Sequence, residues 1–182
     1  MDVTIQERKF TFHSEFEITG AGPALRARKE FLSFPPRIQV KFEGGQVVTL
    51  QGRFSLVRCK YDFHFPDGRE YAFHCEKVVK GVYACRSDEE IYRLYHHKKR
   101  RYSIFHNGEQ IAAVERSRYA GTRGNRFAVR MNHDADVAMV TSMVLAMNAS
   151  DRSDAEDAEH GTPEPASYRR EERPFDTTWQ PN

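Results

Sequence analysis

Between Val137 and Met147, nine of eleven residues are apolar and none is charged, in a chain whose other segments mostly alternate polar with apolar residues. Alternation suits a strand with one wet face, whereas unbroken apolarity requires burial on every side. Alanine, methionine and leucine propagate a helix well. Asp134 can cap it, and Asp136 would sit in the first turn, where a carboxylate favours the positive end of the helix dipole. The expected helix, Asp134 to Ala149, is roughly 24 Å long at 1.5 Å per residue. It falls short of the about 20 apolar residues that a bilayer core demands, so it is expected to be buried in protein. Ala138, Ser142 and Ala146 are small, Met139, Met143 and Met147 can fill irregular gaps, and Thr141 and Ser142 are expected to bond back to helix carbonyls.

The surrounding chain has a period of two. Ile38, Val40 and Phe42 alternate with polar residues, Gly44-Gly45 turns the chain, and Val48 and Leu50 follow. From Phe54 to Phe65 the apolar parity switches at Leu56/Val57, which predicts a bulge or bend. Pro66-Asp67-Gly68 and His106-Asn107-Gly108 close further hairpins, Asn-Gly being the strongest short signal because both residues tolerate positive φ. Additional runs lie at Phe10 to Ile18, Ala24 to Leu32, Val82 to Cys85, Ile91 to Tyr95, Tyr102 to Phe105, Ile111 to Glu115 and Phe127 to Met131. Ten or more short strands with close turns predict an antiparallel sandwich or barrel, and one fully apolar helix selects a closed barrel around it. Gly68 and Gly108 sit in similar strand-turn-strand segments, a weak internal echo.

Charge divides the chain. From Ser150 onward nine acidic residues face four arginines, so a tail at −5 follows a body at +7. A domain over 1–149 and an acidic, proline-containing disordered tail over 150–182 are expected. The start lacks the charged and apolar pattern of a secretory signal, which points to the cytoplasm. Cys59, Cys75 and Cys85 have neither disulfide-framework nor zinc spacing, so reduced thiols are expected.

Several of these segments carry a family likeness. The run Tyr-x-Ile-Phe-His-Asn-Gly-Glu-Gln-Ile-Ala-Ala-Val-Glu-Arg at 102–116, the strand at Arg126 to Met131 and the helical segment after it resemble the Tubby C-terminal-like superfamily, in particular its LURP-one-related and phospholipid-scramblase-like branch. The resemblance covers about residues 5 to 149. It implies a closed antiparallel barrel around a hydrophobic helix, and a membrane-tethering, phosphoinositide-binding type of activity. The cysteine-rich lipidation cluster and calcium loop of scramblase-like members are absent; Asp151 to Gly161 is acidic without the glycine and ligand spacing of an EF-hand.

Candidate sites are therefore basic. His96-His97-Lys98-Lys99-Arg100-Arg101 can hold anionic lipid or phosphate by charge, and Arg116, Arg118, Arg123 and Arg126 can join if the loops share a barrel end. The competing reading is a solvated strand connection whose charges discourage edge pairing. Nucleic acid is disfavoured, since neither cluster interleaves aromatics. Phe175 and Trp179 form a candidate motif that docks on a protein partner or on the basic body. No catalytic motif, metal or cofactor is expected: His64 and His74 lack a spaced carboxylate, and His133 lies near Asp134 and Asp136. The expectation is a non-enzymatic binding module at the membrane surface, with an interaction scaffold as the alternative and a ligand carrier or enzyme behind both.

Overall fold

The computed structural model describes residues 1–10, 13–20, 25–30, 35–42, 45–53, 60–77, 81–118, 124–158 and 171–182. Among these residues twelve strands form one closed barrel. They are β1 (Asp2–Lys9), β2 (His13–Thr19), β3 (Leu25–Glu30), β4 (Arg37–Lys41), β5 (Val47–Arg53) and β6 (Lys60–His64). The second half holds β7 (Glu70–Lys77), β8 (Val82–Arg86), β9 (Ile91–His97), β10 (Arg101–His106), β11 (Glu109–Arg118) and β12 (Asn125–Met131). Each strand pairs antiparallel with its sequence neighbours, and β1 pairs with β12 to close the ring.

Alternation built this wall as expected. Val3 and Ile5, Ile38 and Val40, Val48 and Leu50, and Tyr61 and Phe63 all point inward and are buried. On β6, β7 and β8 the rings of Phe63, Phe73 and Tyr83 stack in sequence at 5.5 and 5.6 Å. Each such ring withdrawn from water stabilises the barrel by about 1.5–3 kcal/mol. Asn107 and Gly108 take φ of 47° and 96°, the two positive values that a tight primed hairpin turn requires. The echoing Gly68 also has positive φ, at 89°. The parity switch at Leu56/Val57, and with it Cys59 and Gly44, lies outside the described residues.

Inside the ring runs α1 (Val137–Ala158). Every residue from Met139 to Ser150 is buried, on all faces of the helix. The Cys85 thiol of β8 lies 3.9 Å from the Met139 sulfur. The boundary expected at 149/150 thus falls within a helix that continues to Ala158. Its cap also differs from expectation: the Asp136 carboxylate accepts from the Met139 N–H at 3.0 Å, and the Asp136 carbonyl accepts from Val140 N–H. Asp136 is the capping residue and Asp134 lies exposed ahead of it. The hydroxyls of Thr141 and Ser142 do not bond back to helix carbonyls; both are buried without a hydrogen-bond partner. Ser150 makes that bond instead, to the Ala146 carbonyl at 2.8 Å.

A meander of this kind has two ends. At the proximal end α1 begins, and the β6–β7, β8–β9 and β10–β11 turns cluster there. At the distal end α1 leaves, among the β1–β2, β7–β8, β9–β10 and β11–β12 connections. The distal interior is polar. Glu7, on an inward position of β1, accepts from the Asn125 backbone N–H at 3.0 Å and side-chain amide at 3.4 Å. That amide also donates to Asn148 of α1 at 2.9 Å. Gly124 permits this approach, because a Cβ there would sit 2.6 Å from a Glu7 carboxylate oxygen. β1 itself escaped the sequence reading, since its third inward position is this glutamate.

Candidate functional site

The turn between β9 and β10 is a single 3₁₀ turn, Lys98–Arg100, in which Lys99 and Arg100 hold φ of 60° and 55°. Side chains other than glycine and asparagine avoid that region, so local strain accompanies the presentation of three exposed cations at the barrel's distal tip. The turn approaches β11, whose far end, with Arg116 and Arg118, leads into the β11–β12 connection. The described members of both basic clusters therefore share the distal end. This is a consequence of the up-and-down order, in which every second connection falls on the same rim.

Their members differ in what they face. Arg116 occupies an inward position: its guanidinium donates to the Tyr102 hydroxyl at 3.4 Å and lies 5.8 Å from the centre of the Phe127 ring. Its role is to close the rim over two buried rings. Arg126 points outward and is exposed. Arg118 ends β11, and Arg123 lies outside the described residues. Arg101 is half-buried, with its guanidinium 4.2 Å from the centre of the Phe175 ring.

Phe175 belongs to a segment that does not behave as the disordered tail expected from composition. Residues 171–182 lie along the outer wall of the barrel. Glu171 accepts from the Lys98 backbone N–H at 2.6 Å, and Glu172 pairs with Lys77 at 2.5 Å. Arg173 stacks over Tyr95 and Phe105 at 5.1 and 4.2 Å, and Phe175 meets the His97 ring edge-on. Asp176 holds a tight turn by accepting from Thr178 and Trp179, and the Asn182 N–H reaches the Asn132 side chain at 3.1 Å. We call this segment the strap. Trp179 is half-buried within it. Composition hid the strap because its contacts are cation–π and ring-edge pairs, which leave no periodic trace.

Under the strap, outward strand positions are buried that a bare wall would leave wet. His97 is 0% exposed, Ser103 2% and Ala113 4%. The His97 Nε2 and the Ser103 hydroxyl lie 2.7 Å apart. Burial pushes the His97 imidazole down to about 4, an effect that the nearby Glu171 carboxylate only partly opposes. His97 is therefore neutral at pH 7 and adds no positive charge to the tip.

Two further polar arrangements were missed by sequence reasoning. At the proximal end, Glu90 accepts from the hydroxyls of Tyr71 and Tyr92 and pairs with His106 at 2.6 Å, while His106 stacks on Tyr92 at 4.3 Å. Burial raises the pKa of the Glu90 carboxyl, but these hydrogen bonds outweigh it and leave the group below the usual carboxylate range. Burial and the Glu90 hydrogen bond push Tyr71 up to about 12. Arg69 ties the adjacent turn to the helix cap, bonding Asp67 and Asp136 at 2.7 and 2.8 Å. The second arrangement is a groove of about 300 Å³ on the outer wall of β1–β4, lined by Arg8, Arg26, Arg28, Lys41, Gln39, Glu15 and Glu17. Arg8 pairs with Glu17 across it.

Metal chemistry gains no support from the histidines. His64 pairs with Glu70, His74 lies opposite Ala84, and no group of three potential ligands occurs among the described residues. Cys85 is a free thiol, and burial raises it far above the range of a reactive one. Among the described residues no helix is long and apolar enough to cross a membrane. Comparison with protein-family models, with curated proteins and with solved structures finds no match to this chain.

Proposed function

We propose that this protein is a non-enzymatic binding module that attaches to phosphate-bearing anionic surfaces, above all anionic lipid, through its distal end. The observation that carries the reading is the convergence of the basic residues there: Lys98, Lys99 and Arg100 stand exposed on one turn, beside the rim that carries Arg116 and Arg118, with Arg126 outward on the neighbouring strand. A helix buried along the barrel axis takes up interior space, which favours recognition at the surface. Charge on a projecting rigid tip suits a flat anionic partner, where each added cation contributes about 1 kcal/mol.

Co-sedimentation with vesicles tests it. Phosphatidylserine-containing vesicles should pull the protein down in a salt-sensitive manner, and phosphatidylcholine vesicles should not. Replacing Lys98, Lys99 and Arg100 together by alanine should weaken recovery by roughly one to two orders of magnitude, at about 1 kcal/mol per charge. Equal recovery on both vesicle types removes the reading.

A further inference from the structure

The strap places carboxylates where an anionic ligand would have to bind. Glu171 occupies the Lys98 N–H at the base of the exposed turn, and Glu172 occupies Lys77 on the adjoining strand end. One turn further on, Phe175 covers the guanidinium of Arg101, the fourth cation of the cluster. Residues 171–182 contain three acidic side chains and one arginine, a net charge of −2, with Glu171 and Glu172 at the distal end. The wall beneath receives them: the Arg173 guanidinium lies over the Tyr95 and Phe105 rings, and the uncharged His97 ring meets Phe175 edge to face.

We infer that the outer wall of β9–β10 is a peptide-docking surface for an acidic Glu-Glu-Arg-Pro-Phe segment, and that its resident occupant, the strap, competes with anionic ligands for the distal tip. The inference rests on the proposed binding of phosphate-bearing surfaces. Its physical basis is mutual exclusion: phosphates brought against Lys98–Arg101 meet the Glu171 and Glu172 carboxylates, and full use of Arg101 requires Phe175 to leave. The contacts to be broken are mainly exposed ion pairs and cation–π pairs, individually weak, so an anionic surface can displace them. By reciprocity, ligand binding loosens the strap as much as the strap weakens the ligand.

The test compares the full chain with Glu171→Gln/Glu172→Gln on phosphatidylserine-containing and neutral vesicles. The double variant should bind anionic vesicles tighter by about five-fold per neutralised carboxylate. Adding Lys98→Ala, Lys99→Ala and Arg100→Ala to it should erase the gain. Anionic vesicles should also raise the hydrogen exchange of residues 173–180 in the unmodified protein, with neutral vesicles leaving it unchanged. If the unmodified protein binds anionic vesicles and the double variant binds no tighter, the competition is refuted while the binding proposal stands. If neither chain distinguishes anionic from neutral vesicles, both fall. A gain that survives loss of the three cations also overturns the inference, since the carboxylates would then act elsewhere.

Discussion

The Phe175 ring meets the His97 ring at a centroid distance of 5.2 Å, edge to face, and His97 is fully buried although it occupies an outward strand position. The two residues lie far apart in sequence, on the barrel and on the strap, and their contact anchors one to the other. Phe175→Ala should cost about 1–2 kcal/mol, the value of a half-buried aromatic side chain with its ring contact. Urea denaturation measures the loss, and hydrogen exchange across 171–182 should rise in parallel. Unchanged protection of those residues would show that Phe175 does not hold the strap.

Burial of His97 makes stability depend on pH. Its folded pKa, about 4, lies below the unfolded value of about 6.5, so the folded state binds fewer protons in that interval. Stability is therefore unaffected above pH 6.5 and declines as pH falls towards 4, by on the order of 2–3 kcal/mol. His97→Gln should flatten the denaturation midpoint over this window. Carboxylates held below their usual range, such as Glu90, add a further loss at lower pH, where protonation breaks their pairs.

The helix start offers a clean contrast between two aspartates. Asp136→Ala removes both the cap on Met139 and the pairing with Arg69, and should cost about 1–2 kcal/mol in thermal or chemical denaturation. Asp134→Ala should change stability by less than about 0.5 kcal/mol, as expected for an exposed site without such a role. A larger cost at Asp134 would move the cap back to it.

Within the barrel, two substitutions two residues apart on α1 probe different physics. Ala146→Asp puts a carboxylate where all sides are apolar and water is excluded, and should leave no soluble folded protein. Asn148→Ala keeps the helix but removes the shorter of the Asn125 amide's two bonds, leaving only the one to Glu7, at a cost of about 1–3 kcal/mol. Far-ultraviolet circular dichroism and denaturation midpoints separate loss of the fold from its weakening.

How far the sequence spoke depended on the kind of signal. Alternating pairs such as Ile38/Val40 and Val48/Leu50 announced strands because one face is dry and the other wet. The helix was legible for the opposite reason, since Met139 to Met147 lacks any wet face. β1 was missed where the rule breaks: Glu7 turns inward to bond Asn125. The candidate tip, Lys98 to Arg101, was visible as a charge run, but its partition between exposed cations and a covered Arg101 depends on the strap. The clasp of Glu90 with Tyr71, Tyr92 and His106 joins a turn residue to three different strands, and no local spacing encodes it.

Closure of the ring by β1 and β12 has a consequence for how the molecule is assembled. The amino group of Met1 bonds the Met131 carbonyl, and Val3 pairs with Val129, so β1, first of the twelve strands in chain order, meets its second neighbour only after nearly the whole wall exists. A sealed ring cannot then be threaded by the twenty-two residues of α1 that follow. The seam is expected to stay open until the helix is inside, which makes zipping of β1 to β12 a late event and ties the folding rate to the most distant strand pairing among the described residues.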